Sequence, residues 1–127
     1  MRRRRLFGAG ALLLTVAAGL AVHAFAPDGA TSDIAGDVLY AVAAYLAVVM
    51  VSPRLPTLLA AVIAAALCTL VELFQLTGVP QVLGDAFWPI MLVLGTVFDA
   101  RDLIVYLVAV ALVAFIDGLL RRDSSVR

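Results

Sequence analysis

Lysine is absent from this 127-residue sequence, and all nine basic residues are arginine. Charge of either sign is scarce, at 14% of residues. The arginines do not interleave with aromatics along a basic face, which excludes a nucleic-acid-binding surface. The single cysteine, Cys68, cannot form an internal disulfide and has no second thiol for metal or redox work. In mid-helix it reads as a small apolar packing residue. One histidine, His23, is present, and no G-x-S-x-G turn occurs, which excludes the nucleophile elbow of α/β-hydrolases. No repeat, low-complexity linker or second domain breaks up the chain, so residues 1–127 read as one integral membrane domain.

Apolar residues are what the chain has in quantity, at 65%. A soluble domain of this length has too small a core to hide them, so lipid must be the solvent for much of the surface. The alternation of polar and apolar positions that a closed barrel needs is missing. The fold class expected is therefore all-α: a polytopic membrane helical bundle. Its four transmembrane helices fall at about residues 6–26, 34–51, 57–77 and 103–120, each long enough to span. Met1–Arg5 followed by an apolar run also opens signal peptides, and Ala24-Phe25-Ala26 resembles a cleavage site. Pro27 directly after that point, and the length of the run, favour an uncleaved first helix. Pro27 to Asp33 reads as a polar loop, Ser52-Pro53-Arg54-Leu55-Pro56 as a tight turn, and the C-terminal tail as frayed.

Residues 82–98 are apolar but hold Asp85 and Pro89 and number only 17. Counting them as a fifth span puts six arginines on one side and three on the other. Counting four spans puts eight of the nine arginines inside, leaving Arg101 outside. The positive-inside rule selects four spans with both termini cytoplasmic. Residues 82–98 are then an interfacial or re-entrant helix between the third and fourth spans, with Trp88 at an interfacial depth. The expected location is the plasma membrane.

Within the third span, Glu72 and Gln75 stand one turn apart. A carboxylate at the centre of a membrane helix costs roughly 2.5–3.5 kcal/mol to insert. Positions 61, 65, 68, 69, 72 and 75 share a face of small and polar residues, which should point into the bundle. The first helix carries a similar stripe of Ala11, Thr15, Gly19 and His23. The second offers Asp37, Tyr40, Ala41, Ala44 and Tyr45, and the fourth Asp102, Tyr106, Ala109 and Val113. In the four-span topology His23, Asp37, Glu72, Gln75, Asp102 and Tyr106 all fall in the outer leaflet. Glu72 lies roughly 7 Å deep at 1.5 Å per residue. These six residues form the expected polar pocket, with no metal or cofactor implied.

Each has a plainer reading. Asp37 and Asp102 suit helix N-caps. His23 suits an interfacial hydrogen bond to a loop carbonyl, and the tyrosines suit interface anchors. Asp117 stands four residues before Arg121, as in a helical ion pair. Asp85 and Asp99 read as solvated loop acids. Glu72 is too deep for a cap; its plain role would be to join helices through Gln75, Thr69 or a tyrosine hydroxyl.

Three segments carry a resemblance: Gly36-Asp37-Val-Leu-Tyr40, Glu72-Leu-Phe-Gln75 and Asp102-Leu-Ile-Val-Tyr106. Together they resemble the bacterial domain of unknown function family 2809 over about residues 6–120. That family is in turn similar to VanZ-like membrane proteins, with an acid-x-x-Gln element and an aspartate-led last helix. VanZ-like proteins are associated with resistance to glycopeptide antibiotics that bind lipid-carried cell-wall precursors. The chain departs from the pattern in its apolar 82–98 segment, which is usually more polar and basic. Leu107-Val-Ala-Val also replaces an expected glycine-rich run.

The function expected is a non-enzymatic binding or accessory protein of the cell envelope with an outward-facing acidic pocket. Its partners would be the bilayer and a lipid head group or membrane protein, with an oligomer also open. The alternative is a small proton- or cation-coupled transporter subunit, although no inverted repeat or broken-helix pair occurs. An enzyme acting on lipid is the weakest reading, because one histidine among unspaced carboxylates is a poor catalytic set.

Overall fold

Apolar runs between proline- and glycine-bearing turns dictate the architecture. The computed structural model describes residues 2–95 and 97–126. It contains α1 (Arg2–Phe25), α2 (Ala30–Val51), α3 (Thr57–Gln75), α4 (Val79–Ala86), a 3-10 turn at Trp88–Ile90, α5 (Met91–Leu94) and α6 (Ala100–Ser125). Among the described residues all regular structure is helical. Four helices, α1, α2, α3 and α6, are long and apolar enough to cross a membrane.

The boundaries move where local chemistry outweighs hydropathy. α2 starts at Ala30, not 34, because Ala30 to Asp33 is helix-compatible and Asp33 lies in the first turn, where an acid meets the positive dipole end. α6 starts at Ala100 and continues to Ser125. The polar tail expected to fray is its last turn, with Ser124 and Ser125 hydroxyls donating to the carbonyls of Arg121 and Arg122. α3 ends at Gln75, two residues early, and left-handed Gly78 (φ 75°) turns the chain into α4.

The 82–98 segment is not one helix. Phe87 is extended (φ −147°) before Trp88-Pro89, and Pro89, with no backbone N–H, cannot continue the α4 ladder and instead sits in the first turn of a new 3-10 helix. The pieces on either side span about 12 Å and 6 Å at 1.5 Å per residue, too short to cross a bilayer. They fold over the C-terminal end of α3.

α2, α3 and α6 pack against one another, while α1 packs along α2. The core is formed by Ala41, Tyr45, Leu46 and Val49 of α2, Ala60, Ala64 and Cys68 of α3, and Tyr106, Ala109 and Val110 of α6. Small side chains let these helices approach closely, and Cys68 is one of them. The buried stripe of α3 reads 60, 64, 68, 72, 75. The expected stripe agrees at Cys68, Glu72 and Gln75, while Ala61, Ala65 and Thr69, each one position past the buried face, are half-buried. A run of alanines offers no size contrast from which to fix the face. On α1, Gly8 is buried; a Cβ there would sit 3.6 Å from Val49 Cγ1. Ala11, Thr15 and Gly19 are half-buried and His23 is exposed. Large side chains such as Leu13, Leu58 and Ile104 point outward.

An ion-pair node closes the arginine end. Arg4 Nη2 lies 2.6 Å from Asp117 Oδ2, and the Tyr45 hydroxyl donates to the same oxygen at 2.6 Å. Arg4 Nη1 donates to the carbonyls of Pro53 and Leu55, and Arg5 to those of Met50 and Val51. The partner of Asp117 is therefore Arg4, not Arg121. Arg121 instead donates to the Leu55 carbonyl at 3.2 Å.

Candidate functional site

The opposite end of the bundle collects the acids. Asp28, Asp33, Asp37, Glu72, Asp85, Asp99 and Asp102 all lie on or beside the helix ends there, with Arg101 as the accompanying cation. Three of the long helices bring polar groups together: the first third of α2, the last turn of α3 and the first two turns of α6.

Glu72 is fully buried, and its Oε1 accepts from the Asp99 backbone N–H at 2.7 Å. Gln75 is 8% exposed, and its Nε2 donates to the Leu94 carbonyl at 2.8 Å. From α2, the Tyr40 hydroxyl donates to the Val93 carbonyl at 2.6 Å. Tyr40 and Tyr106 pack with ring centroids 5.8 Å apart at 43°. The Tyr106 hydroxyl adjoins the Glu72 carboxylate. The Asp37 and Asp102 carboxyls are charged neighbours, with Glu72 and Arg101 also nearby. Arg101 Nη2 lies 3.7 Å from Asp99, 3.7 Å from Asp102 and 4.0 Å from Asp33. The group is open on that side, since the Arg101 side chain is 41% exposed.

Five of the six expected residues, Asp37, Glu72, Gln75, Asp102 and Tyr106, thus occur in one region. His23 does not join them: α1 packs on α2 alone, and its last turn carries His23 outward. Neither aspartate is a helix cap. Asp37 lies two turns inside α2, and α6 is capped by Asp99, whose side chain accepts from Arg101 N–H at 2.9 Å. Asp99 is therefore not a free loop acid. It caps α6 while its own N–H is held by Glu72. Its position immediately before the Ala100-Arg101-Asp102 helix start was the available sequence signal. Arg101 was legible as the lone outer arginine but not as the centre of three acids.

Part of the group is structural. Gln75 and Tyr40 hold the last carbonyls of α5, and Glu72 holds the start of α6, so the connection is fastened at three points. Gly95 sits against this fastening. It has φ 65°, and a Cβ would overlap the Gln75 side-chain amide. Gly95→Ala is expected to lose about 2–3 kcal/mol from backbone strain and the lost Gln75–Leu94 bond. The melting midpoint of the purified variant checks this.

The rest of the group is unsatisfied. Asp37 Oδ2, Glu72 Oε2, Gln75 Oε1 and Asp102 Oδ1 are buried and find no hydrogen-bond partner. All four are acceptors, and against them stands one unpaired buried donor, Arg101 Nε, so acceptors outnumber donors. Among the described residues no group of three or more His, Cys, Asp or Glu is arranged to hold a metal ion.

A model of a family described as protein of unknown function (DUF2809) matches residues 26–110. No curated protein matches the chain, and no solved structure does. The matched region runs from Ala26, just after α1, to the buried Ala109 and Val110 of α6 and contains every member of the acidic group. The chain belongs to the DUF2809 family.

Proposed function

We propose that the chain is a non-enzymatic binding or accessory protein of the bacterial cell envelope. Its acidic end faces outward from the plasma membrane, and the termini are cytoplasmic. The group around Glu72 receives an ammonium or guanidinium presented by a lipid head group or a neighbouring membrane protein. The interfacial 82–98 connection flanks the entrance.

The observation that carries this reading is the excess of acceptors, four unpaired against the single unpaired donor Arg101 Nε. Buried acceptors without partners are costly in a low-dielectric setting, and a cation bearing N–H groups would supply both charge and donors. Apolar packing at Ala60, Ala64, Cys68, Ala109 and Val110 lies between this group and the Arg4–Asp117 node. That favours binding over conduction by a proton- or cation-coupled transporter subunit, which needs a polar route.

The test uses the full chain in nanodiscs. Ethanolamine head groups carry N–H donors and choline head groups carry none. Replacing phosphatidylcholine with phosphatidylethanolamine is expected to raise the melting midpoint by about 3 °C through ligand linkage. Asp37→Asn with Asp102→Asn should remove most of that rise, since neither carboxylate holds the backbone. An equal rise in wild type and double variant would rule the reading out.

A further inference from the structure

The cavities lie at the other end. One groove of about 700 Å³ runs between the first turn of α1 and the α2–α3 turn, lined by Arg2, Arg5 and Arg54 together with Ser52, Pro53 and Leu55. We propose that this groove binds the phosphate of an anionic phospholipid in the leaflet at the arginine end.

The arginines there divide by what they touch. Arg4 is committed to Asp117 and two carbonyls. Arg5 uses Nε and Nη2 on the carbonyls of Met50 and Val51, which fixes its position and leaves Nη1 unused. Arg2 and Arg54 make no side-chain hydrogen bond or ion pair among the described residues and are exposed. Three guanidiniums therefore line one groove with donors to spare, and no acid lines it. The nearest buried carboxylate, Asp117, is neutralised by Arg4 and held by Tyr45. The C-terminal carbonyls of α2 would repel an anion through their dipole, but Arg5 donates to those of Met50 and Val51.

The groove also has the shape of an amphiphile site. The Ser52 hydroxyl adds a donor beside the arginines, while Val51, Pro53, Leu55 and Pro56 supply apolar surface. Its volume is in the range of small-molecule sites. It lies where α1 begins and α2 ends, the level of lipid phosphates for helices that cross a bilayer. Basic pockets between membrane helices take phosphorylated head groups by this combination of charge and depth. Free phosphate would use the arginines but not the apolar wall, and an acidic protein segment would have to reach into the bilayer interface.

Native mass spectrometry of the full chain in detergent tests this. Wild type is expected to retain phosphatidylglycerol at least about fivefold over phosphatidylcholine, a discrimination of about 1 kcal/mol. Arg2→Gln with Arg54→Gln should abolish the preference at an unchanged melting midpoint, since both side chains are exposed and unbonded. Arg3→Gln with Arg122→Gln removes the same charge from outside the groove and should preserve it. Equal loss in both double variants would reduce the effect to net charge and overturn the proposal. Displacement of the lipid by millimolar inorganic phosphate, or more readily by polyglutamate, would overturn the lipid assignment.

Discussion

Arg4→Met is expected to lower the melting midpoint by roughly 10 °C, the largest loss from any single arginine. Arg4 and Asp117 retain only 12% and 18% side-chain exposure, so their pair is screened far less than a surface pair. Removing one partner of such a pair leaves the other charge uncompensated, at a cost of about 3 kcal/mol. The Pro53 carbonyl also loses its donor, while that of Leu55 keeps Arg121. α1 otherwise packs only on α2, so Arg4 is its tie to α6. Arg121→Met should cost less than about 1 kcal/mol, the worth of one hydrogen bond. Combining Arg4→Met with Asp117→Leu should recover part of the loss, because neither charge is then stranded. A larger loss from Arg121→Met than from Arg4→Met would show that Asp117 pairs along its own helix after all.

That contrast marks the boundary of what the sequence discloses. The spacing of Asp117 and Arg121 is local and visible; the approach of Arg4 across 113 positions depends on how three helices assemble. The same division runs through the acidic end. Apolar run lengths locate four spans, and the small-residue rule turns Glu72 and Gln75 inward. The proline after Trp88 shows that 82–98 bends, but not that it ends in carbonyls held by Tyr40 and Gln75. His23 has the right depth and the right stripe, yet depth does not say which neighbour a helix has. α1 faces α2 alone, so its histidine never reaches the acids. In the sequence, Asp99 reads as a loop acid, with no sign that its backbone N–H is held by the buried Glu72 carboxylate.

The two ends have opposite chemistry. At the arginine end the donors exceed the acceptors, and the surplus lies on Arg2, Arg5 and Arg54. At the acidic end the acceptors exceed the donors, and the surplus lies on Asp37, Glu72, Gln75 and Asp102. Two different lipids meet these needs: an anionic phospholipid at the arginine end, through its phosphate, and an ammonium-bearing one at the acidic end.

Glu72→Leu is expected to leave the fold as stable as wild type, within about 1 kcal/mol, while abolishing the response to ethanolamine lipid. Two opposing terms set this. The Asp99 N–H loses its acceptor, at a cost of about 1–3 kcal/mol for a buried donor. Against it, a carboxylate whose cost reaches roughly 2.5–3.5 kcal/mol at a helix centre, and less at Glu72 one turn from the end of α3, is replaced by an apolar side chain. The near-cancellation means the hydrogen bond to α6 does not by itself account for an acid at position 72. Glu72→Gln separates the terms. Its amide oxygen still accepts from Asp99, and its NH2 supplies donors to the unsatisfied acceptors around it. That variant should therefore melt at or above wild type, yet bind an ammonium at least about tenfold more weakly, the equivalent of 1.4 kcal/mol. Paired melting and lipid-titration measurements on both variants distinguish a binding carboxylate from a fastening one. If Glu72→Leu instead loses more than about 3 kcal/mol while Glu72→Gln keeps full ammonium affinity, the residue serves only to hold α6 to α3. The donor shortage at the acidic end would then be met by water.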